Sequence, residues 1–580
     1  MSRPLVFTTL AIALGIVLAD SIFYQNLMVP TWLNAALWGF SLSMALGAWL
    51  CWPADGRSWI NRLLFPLFVF LFFATFGFAR YTSFAEEVQQ SWLRMERPPV
   101  NRGNPDEFDY VRWRWLQGVE DSTTWTARLK QKALAVRSHL LNQYAAADMD
   151  DEAQAIVAAV TLGDRSQLSH ETRDLYAAAG ASHLLALSGM HLTIIVGFFL
   201  TLMNGRLLLS RWRPWLGIAL IAFIWTYAFV AGLPTSLVRA SLMTSLFVIS
   251  ALTHRYCSSL HLLVLTAFVM LLIRPAYLFD VGAQLSFAAV AGIVVLHRRW
   301  YIWFFERYRF QCFTLERYHL LWPLDILLVS LAAQLFTLPL VAYYFHRIPL
   351  YAPFFNLIFI PLTTVLIYVA LTSLALSSLS TLLGHLLSWL VTAQLAVMQF
   401  EVQLPGAVIN DFWSRKAEPQ VVVYNNWRCP ALHVIAAPDR SWLLTPVPDS
   451  LPAGMRYISE SFWRRRLTAE PMVLKERQAV AIESGFSAVM VDGKAQSATR
   501  TALGKHQGAH QPVTRVDLLW ITKGFKGTRL DMLTRLYCPH LLVLDASLSP
   551  WQRTALKEEA AKAGWNVYDI AEQGALRLRL

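Results

Sequence analysis

The residues of this chain whose types and spacing could do chemistry are concentrated in one stretch, 160–195. The candidates are Asp164, Arg165, Ser182, His183, Ser188 and His191. Such groups can move protons, hold a metal ion or hydrogen-bond a polar substrate. At about 100° per residue, a continuous helix would place Ser188 and His191 on one face, with His183 about 80° from His191. Ionisable groups in membrane segments usually face a bundle interior or a wet cavity. Helix packing, with the histidines at the membrane interface, is the alternative, and the residues alone leave both open.

The most specific enzymatic hypothesis for these groups is a metal hydrolase in which Asp164, His183 and His191 are the metal ligands. Zinc needs three or four ligands in tight geometry, and the sequence contains no His-Glu-x-x-His motif. We therefore expect no metal, no other cofactor and no enzymatic activity. The five cysteines include no Cys-x-x-Cys pair, which argues against a zinc ribbon or a thioredoxin-like site. A Cys429–Cys538 disulfide and two unpaired, buried thiols both stay open.

The elements that must position these groups are membrane helices. Of the 580 residues, 56% are hydrophobic and only 15% are charged, against about 25% charged in ordinary soluble domains. This composition excludes a disordered, collagen-like or ordinary soluble protein. Apolar runs near the ~20 residues that cross a bilayer predict about eleven spans, which lie near 4–23, 32–51, 62–80, 184–203, 214–232, 236–252, 259–273, 281–297, 323–345, 352–371 and 374–400.

The last third of the chain has a different composition. Residues 401–580 carry 23 basic and 17 acidic residues, against 27 and 21 in the 400 residues before them. This tail is predicted to be a soluble α/β domain, with a helix over 549–563 that Ser549 caps and Gly564 ends. Short apolar or β-branched runs predict strands at Val421–Tyr424, Ala431–Ala436, Gln478–Glu483, Ala488–Val491, Val516–Ile521 and Leu541–Asp545.

The distribution of arginine in short loops predicts the orientation. The loop 298–322 holds five arginines, so the positive-inside rule places it in the cytoplasm. Counting spans back and forward from it puts the N-terminus in the cytoplasm, and 81–180 and 401–580 outside. The last step requires 352–400 to be two helices. Between 175 and 400, twelve arginines face four acidic residues; an anionic partner and the positive-inside rule both account for this excess.

Ordered motifs across the membrane region resemble the ComEC competence family, whose members form an inner-membrane channel for DNA uptake. The resemblance covers roughly 100–370 well and the rest loosely. The motifs that carry it are Leu162-Gly163-Asp164-Arg165, Ser182 to His191, Gly232-Leu233-Pro234-Thr235-Ser236 with Arg239-Ala240, Asp280 to Phe287, Gln334 to Pro339, and Asn356 with Pro361. The resemblance implies a polytopic α-helical membrane protein of the bacterial inner membrane, with a C-terminal α/β domain of metallo-β-lactamase type.

The resemblance also adds residues to the candidate DNA path. These are Arg239, Asp280, Gln284, Ser286, Gln334 and Asn356. Arg239 and Asp280 could instead pair with each other, and the amides and the serine could hydrogen-bond between helices, as polar membrane residues often do. Pro234, Pro339 and Pro361 could break helices to shape the path.

Two regions depart from the family pattern. Residues 81–150 are too few for the OB-like domain that many members insert there, so a helical linker is expected. After the predicted strand Val516–Ile521 comes Thr522-Lys523-Gly524-Phe525-Lys526-Gly527, where the metal ligands of a metallo-β-lactamase would stand. We therefore expect a degenerate, metal-free domain, with His506 and His510 in a surface loop. The cations Lys523, Lys526, Arg529 and Arg464-Arg465-Arg466 could hold phosphate or be ordinary solvated charge.

The resulting domain organisation is 1–80 N-terminal spans, 81–150 a periplasmic linker, 151–400 a channel core and 401–580 the soluble domain. The resemblance implies transport of single-stranded DNA through the lipid bilayer during natural transformation. The sequence has no Gly-x-x-x-x-Gly-Lys-Ser/Thr loop, so a cytoplasmic helicase or translocase is implied as the driving partner. A periplasmic DNA-binding competence protein and a homo-oligomer stay open. The alternative function is an exporter or flippase of another anionic polymer or lipid.

Overall fold

The structure is a computed structural model, and its contacts divide the chain into two units. The membrane unit comprises Met1–Pro98 and Trp115–Phe412, and the terminal unit comprises Pro99–Arg114 and Trp413–Leu580. The residues that the structure describes are 3–23, 31–50, 59–93, 95, 101–102, 104, 109–118, 125–202, 213–253, 257–307, 322–376, 379–410, 418–446, 455, 462–463, 467, 471–474, 479–481, 486–496 and 514–580.

Helices dominate the chain up to residue 403. They are α1 (Arg3–Phe23), α2 (Thr31–Leu50), α3 (Trp59–Leu93), α4 (Tyr110–Gln117), α5 (Trp125–Ala145), α6 (Asp151–Leu162), α7 (His170–Ala178), α8 (Ser182–Leu185), α9 (Gly189–Leu202), α10 (Arg213–Val230), α11 (Thr235–Leu252), α12 (Ser259–Ile273), α13 (Val281–Gly292), α14 (Arg298–Arg307), α15 (Trp322–Phe345), α16 (Ala352–Ala375) and α17 (Ser380–Gln403). A 3₁₀ turn at Pro275–Phe279 precedes α13, and a π-helical turn at Ile293–His297 follows it. Strand β1 (Arg347–Pro349) pairs antiparallel with β2 (Val408–Asn410).

Several of these helices have the length and composition of membrane spans. Within the described ranges they are Pro4–Phe23, Leu64–Leu93, Thr235–Leu252, Val281–Trp303, Pro323–Phe345, Ala352–Ala375 and Ser380–Gln403. Three shorter apolar helices are Gly189–Phe198, Trp215–Val230 and Ser259–Ile273. The chain is therefore a helical membrane protein, and the predicted division of 352–400 into two helices is confirmed. The number of about eleven spans stays a prediction.

The region 81–150 is helical wherever the structure describes it. Helix α3 does not end at 80, as the hydropathy predicts, but continues to Leu93. It continues because Phe84, Ala85 and Val88 recur at helical spacing and are buried against α1 and neighbouring helices. Helices α4 and α5 follow, and no strand occurs among the described residues of this region.

Helices α1 and α3 pack backbone to backbone. A Cβ atom added to Gly15 would lie 1.9 Å from the carbonyl oxygen of Ala74, and one on Gly77 would lie 2.4 Å from that of Ile12. Small residues allow membrane helices to approach this closely. The Tyr81 hydroxyl, close to this contact, donates to Asp20 of α1 and accepts from Trp115 Nε1 of α4.

Helix α6 forms the centre of the largest apolar cluster of the membrane unit. All its residues from Ala153 to Leu162 except Gln154 are buried, as expected for a helix that is apolar on all sides. It packs against α16 and α17. Ser169 caps α7 by accepting from the amide of Thr172, and Gly180 follows the helix with φ +65°. Ser169 and Gly180 thus bound this short helix.

Two of the three proline predictions are wrong. Helix α15 continues through Pro339, and α16 continues through Pro361. Membrane helices tolerate proline when neighbouring groups satisfy the freed backbone, so proline alone does not mark a break. Pro234 lies at a boundary: it caps the start of α11, directly after Gly232 and Leu233, both of which have positive φ.

The terminal unit contains two five-stranded sheets. Its strands are β3 (Gln420–Val423), β4 (Leu432–Ala437), β5 (Arg440–Leu444), β6 (Met472–Leu474), β7 (Ala479–Ala481), β8 (Ser487–Val491), β9 (Thr514–Ile521), β10 (Tyr537–Leu544), β11 (Val567–Asp569) and β12 (Leu576–Arg579). Its helices are α18 (Asp531–Leu536), α19 (Pro550–Lys562) and α20 (Ile570–Gln573). The sheet orders are β12-β3-β4-β5-β6 and β11-β10-β9-β8-β7.

The two sheets share one apolar core. Val421, Leu432 and Leu444 of the first sheet meet Leu518 and Trp520 of the second, and α18 and α19 supply residues to the core on the second sheet's other face. The predicted α/β character is confirmed, as are all six predicted strands to within a few residues. Four strands, β5, β6, β11 and β12, lie where the sequence predicts none. The metallo-β-lactamase type of fold stays a prediction.

Helix α19 matches its predicted helix in detail. It begins at Pro550, directly after Ser549, and ends one residue before Ala563. Ser549 and Gln552 form a capping box, and Gly564 beyond the end has φ +72°. Cys429 and Cys538 are unpaired. Cys429 is buried as predicted, whereas the predicted burial of Cys538 is wrong because its side chain is exposed on β10. His506, His510 and Arg464 to Arg466 lie outside the described residues.

A short segment from before the channel core belongs to the terminal unit. Asn104 is 4% exposed, and its Oδ1 accepts from the Asn425 amide over 2.8 Å. The carbonyl of Arg102 accepts from the amide of Ala575 over 3.1 Å and from Asn425 Nδ2 over 3.3 Å. The sequence does not predict this contact, since it assigns 81–150 and the tail to separate domains.

Candidate functional site

The predicted span 184–203 is interrupted rather than continuous. Helix α8 ends at Leu185, Ala186 is extended with φ −90° and ψ 121°, and α9 begins at Gly189. The single helix predicted here is therefore wrong, although the residues between are apolar enough to continue it. We call the stretch from Ala186 to Ser188 the helix break.

Ser188 and His191 meet at the helix break, but as a cap rather than as two positions on one helix face. The Ser188 amide lies 3.3 Å from His191 Nδ1, and the Ser188 hydroxyl lies 2.9 Å from the same atom. Because an amide can only donate, Nδ1 accepts and the ring proton sits on Nε2. His191 is 0% exposed, and Nε2 has no hydrogen-bond partner in the described part of the chain.

His183 stands on a different helix from His191. It lies on α8, is exposed, and donates from Nδ1 to the Gly180 carbonyl over 3.0 Å. Ser182 is the exposed first residue of α8, and its carbonyl accepts from the amide of Ala186. The helical angle predicted between His183 and His191 is wrong because the two histidines stand on different helices.

Asp164 and Arg165 support the helix break from outside the span. Arg165 Nε donates over 3.1 Å to the carbonyl of Leu185, the last residue of α8. Asp164 accepts from the Ser166 amide over 3.0 Å and lies 3.6 Å from Arg137 Nη2. Both residues therefore have structural partners, and Arg165 satisfies a carbonyl that the end of α8 leaves free.

Arg239 is a buried cation of the membrane unit. It lies on α11, is 5% exposed, and donates from Nε to Ser286 Oγ of α13 over 2.7 Å. Its guanidinium carbon lies 5.8 Å from the ring centre of Phe287. No described acidic residue forms an ion pair with it, so the pairing with Asp280 that the sequence left open does not form.

Asp280 is occupied at the start of α13 instead. Its carboxylate accepts from the Ala283 amide over 2.7 Å and from the Thr235 hydroxyl over 2.8 Å. It thus caps one helix and contacts the first residue of another, which is a favourable position for a negative charge. Arg239 and Asp280 both connect α11 with α13, but through different partners.

The remaining candidates hydrogen-bond within the protein. Gln284 Nε2 donates to the Leu278 carbonyl over 2.8 Å, and its Oε1 accepts from the Tyr344 hydroxyl over 2.9 Å. Gln334 Nε2 donates to the Pro349 carbonyl over 2.8 Å. The contact of Asn356 Nδ2 with Ser330 Oγ is longer, at 3.4 Å. Packing between elements therefore accounts for these three amides, and their place on a DNA path stays a prediction.

Five of the relevant residues converge at one place. A Cβ atom on Gly189 would lie 3.3 Å from Arg239 Nη2, so the first residue of α9 stands beside the guanidinium. We call this group the break cluster; it consists of Ser188, Gly189, His191, Arg239 and Ser286. Four of its members were predicted as site residues. Gly189 lies within the motif Ser182 to His191 but was not one of them, and its proximity to Arg239 depends on how α9 meets α11.

The described residues of the terminal unit offer no comparable group of ligands. No cluster of three or more His, Cys, Asp or Glu side chains that could hold a metal ion occurs among the described residues. Lys523, Lys526 and Arg529 are exposed. Their contact with phosphate, and the loss of an ancestral metal site, both stay predictions.

Comparison with known proteins places these features in a family. A family model described as "Competence protein" matches residues 160–425, which include the break cluster, and one described as "ComEC C-terminal domain" matches 421–580. No solved structure matches the chain.

Three curated proteins are similar over part of their length. ComE operon protein 3 of Bacillus subtilis (strain 168) is 28% identical over 295 residues, 49% of this chain and 35% of that protein. Uncharacterized protein YcaI of Escherichia coli (strain K12) is 26% identical over 36% of this chain and 27% of its own. Recombination protein 2 of Haemophilus influenzae (strain ATCC 51907 / DSM 11121 / KW20 / Rd) is 24% identical over 33% and 25%.

The aligned part of the chain thus spans a quarter to about a third of each of these relatives. The two family models, in contrast, run without a gap from residue 160 to residue 580, across the helix break, the buried arginine and both sheets. On this agreement between membrane core and tail, the chain belongs to the ComEC competence family.

Proposed function

We propose that this chain forms a channel that passes single-stranded DNA across the bacterial inner membrane into the cytoplasm during natural transformation. The observation that carries the proposal is the break cluster, where a buried arginine without an acidic partner among the described residues meets an interrupted membrane helix. This cluster lies inside the segment matched by the competence model.

A DNA strand in transit needs cationic groups at membrane depth. Every nucleotide carries one phosphate charge, and proteins hold single strands with basic grooves and stacking surfaces. Non-helical backbone at membrane depth is tolerated where it is buried in protein or lines a wet cavity. Arg239 beside the helix break supplies both features at one point of the core.

The proposed orientation places the terminal unit in the periplasm. Because Asn104 and Arg102 are bonded into the terminal unit, the segment after α3 and the tail must lie on one side of the membrane. The arginine-rich loops predict that this side is the periplasm and that the N-terminus is cytoplasmic. A strand would then enter from the side of the terminal unit and leave towards the cytoplasm.

The channel itself would be passive and have no enzymatic activity. A cytoplasmic helicase or translocase would pull the strand, and a periplasmic DNA-binding competence protein would deliver it. The exporter or flippase alternative remains a second candidate, because a buried cation beside a helix start would also receive the phosphate of another polymer or lipid.

Uptake of labelled DNA by the native host tests the proposal. The gene is deleted and complemented with the wild type, with the double variant His191→Ala plus Arg239→Ala, or with Arg298→Ala, an exposed arginine of α14. We expect the deletion and the double variant to accumulate label in the periplasm with no cytoplasmic entry. The wild type and the Arg298 variant should restore entry.

Unchanged cytoplasmic entry in the deletion strain would overturn the proposal. Membrane extracts of that strain should then be examined for retained anionic polymers or altered lipid asymmetry, which the exporter alternative predicts. Immunoblotting of the membrane fraction ensures that the double variant is present at the wild-type level.

A further inference from the structure

We infer that the guanidinium of Arg239 and the first turn of α9 form a binding site for one phosphodiester group of the translocating strand. This inference rests on the proposed channel function and makes it specific, since it assigns one contact to named atoms. The ligand is the backbone of the strand and not its bases, so the site is indifferent to sequence.

The first argument is the incomplete partnering of a buried arginine. Arg239 is 5% exposed, and its Nε donates to Ser286 Oγ over 2.7 Å. Neither Nη1 nor Nη2 forms a hydrogen bond or an ion pair with any residue that the structure describes. A buried charge without a partner is costly, and a phosphodiester can accept from both nitrogens in the fork geometry that arginine presents.

The second argument is the helix start that faces this guanidinium. Helix α9 has 14 residues and begins at Gly189, and Arg239 Nη2 lies 3.3 Å from the position of a Gly189 Cβ. The first amides of a helix have no carbonyl of their own helix to bond. These amides and the helix dipole favour an anion at this end.

The cap of α9 does not occupy these amides. His191 Nδ1 takes the amide of Ser188, at 3.3 Å, which lies before the first helical residue. The amides of Gly189 and Met190 follow it in the first turn. An anion beside Gly189 would therefore meet two backbone donors and the two terminal nitrogens of Arg239.

The third argument concerns Asp280, the acidic residue that the sequence offered as a partner for Arg239. Asp280 contacts the first residue of α11, but its carboxylate is bonded to Ala283 and Thr235. Ser286 meanwhile holds Nε, so that it fixes the plane of the guanidinium without neutralising it. The site is thus built to stay cationic until an external phosphate arrives.

Binding of a labelled strand to the purified full-length chain in neutral detergent tests the inference. The probe is a fluorescein-labelled thirty-nucleotide oligothymidylate, titrated at several salt concentrations. For Arg239→Gln we expect the dissociation constant to rise about tenfold, and the steepness of log K against log salt to fall by about 0.7, the value for one lost phosphate contact on a single strand. Arg239→Lys keeps the positive charge but lacks the two terminal nitrogens of the guanidinium, so it should give an intermediate loss of affinity.

A second variant keeps the arginine and changes the helix start. Gly189→Ala puts a methyl group 3.3 Å from Arg239 Nη2 and should weaken binding several-fold, with Arg239 and Ser286 intact. Arg298→Gln removes the same charge from an exposed position and should change the dissociation constant less than about twofold. Thermal unfolding of each variant establishes that it is folded.

The outcomes separate this site from the channel itself. Wild-type affinity and salt dependence in both Arg239→Gln and Gly189→Ala would overturn the phosphodiester site, while DNA entry in the host could still support the channel. The competing ligand is a lipid headgroup. If phosphatidylglycerol displaces the strand from the wild type but not from Arg239→Gln, and phosphatidylcholine displaces it from neither, the site belongs to a lipid headgroup and the inference is overturned. No displacement by either lipid supports the strand as the ligand.

Discussion

The Cα atom of Gly15 faces the carbonyl oxygen of Ala74 so closely that a Cβ atom on Gly15 would lie 1.9 Å from it. Gly15→Ala should therefore force α1 away from α3, because the obstacle is backbone and cannot rotate aside. Overpacking of this kind costs about 1–3 kcal/mol. We expect a lower apparent unfolding temperature of the purified protein in detergent.

Gly39→Ala is the matched control for this prediction. Gly39 lies on α2, and a Cβ atom added there would meet nothing within 4 Å. The alanine should leave the unfolding temperature unchanged or raise it slightly, since alanine favours a helix more than glycine. Equal losses in both variants would contradict the close approach of α1 and α3.

The clamp between Asn104 and Asn425 should contribute to the stability of the terminal unit. Asn104→Ala removes the acceptor of the Asn425 amide, a partly buried bond of 2.8 Å in which Asn104 itself is buried. Leaving a buried donor unsatisfied costs about 1–3 kcal/mol. Amide hydrogen exchange of β3 and β12 in the full-length protein should become faster by the factor that corresponds to this loss of free energy.

Glu558→Ala provides the comparison for Asn104→Ala. Glu558 is exposed on α19, and surface changes of this kind stay within about 0.5 kcal/mol. Faster exchange in the Glu558 variant but not in the Asn104 variant would refute a stabilising role of the clamp.

The same clamp predicts the sidedness of two distant sites. In a cysteine-free background, Asn101→Cys and the restored Cys538, both at exposed positions, should react with a membrane-impermeant maleimide from the same side. If the orientation inferred from the arginine-rich loops is right, that side is the periplasm. Labelling of the two cysteines from opposite sides would contradict the structure of the terminal unit.

His433 should make the terminal unit less stable in acid. It is fully buried on β4, with Nδ1 3.0 Å from the Tyr424 hydroxyl, and burial lowers its pKa from 6.5 to about 3. The unfolded chain therefore takes up this proton as the pH falls below 6.5, whereas the folded domain does so only near pH 3. Above pH 6.5 the buried histidine therefore leaves the free energy of unfolding unchanged, and at pH 5 it lowers that free energy by about 2 kcal/mol.

Asp545 acts in the opposite direction, so the test must compare variants. Burial raises the pKa of Asp545 from 3.8 to about 6. The ionised carboxylate therefore destabilises the folded domain, and protonation on acidification removes this cost. His433→Phe should remove the histidine contribution and leave that of Asp545 in place. Denaturant unfolding at pH 7.5 and pH 5 should show a smaller acid loss in this variant than in the wild type. The exposed His540→Phe should keep the full loss.

Hydropathy and turn chemistry predicted much of the fold. Ser549 and Gly564 marked helix boundaries because their local chemistry, a side-chain acceptor or a left-handed backbone, acts within a few residues. The predicted strands were those with four or more consecutive apolar or β-branched residues. Strands such as β6 and β11 have three residues each and carry no such signal.

The features that the sequence did not predict depend on distant partners. The segment from Leu184 to Leu187 is apolar enough for an unbroken helix, and the break is fixed by Arg165 and by the side chain of His191. Likewise, Gln284 has the same composition whether it lines a path or bonds Tyr344, 60 residues away. Residue type identified the candidate site, and tertiary contacts give most of its members hydrogen-bond partners within the protein.

The clamp of Asn104 on Asn425 also has a consequence for biosynthesis. The two residues are 321 positions apart, and a chain grows at about 5–20 residues per second. The segment around Asn104 therefore waits about 16–64 seconds after its synthesis before its partner strand exists. During that time every helix of the channel core is made and inserted, so the terminal unit completes its folding only after the membrane part, and nascent chains stalled before residue 425 should expose this segment to proteases.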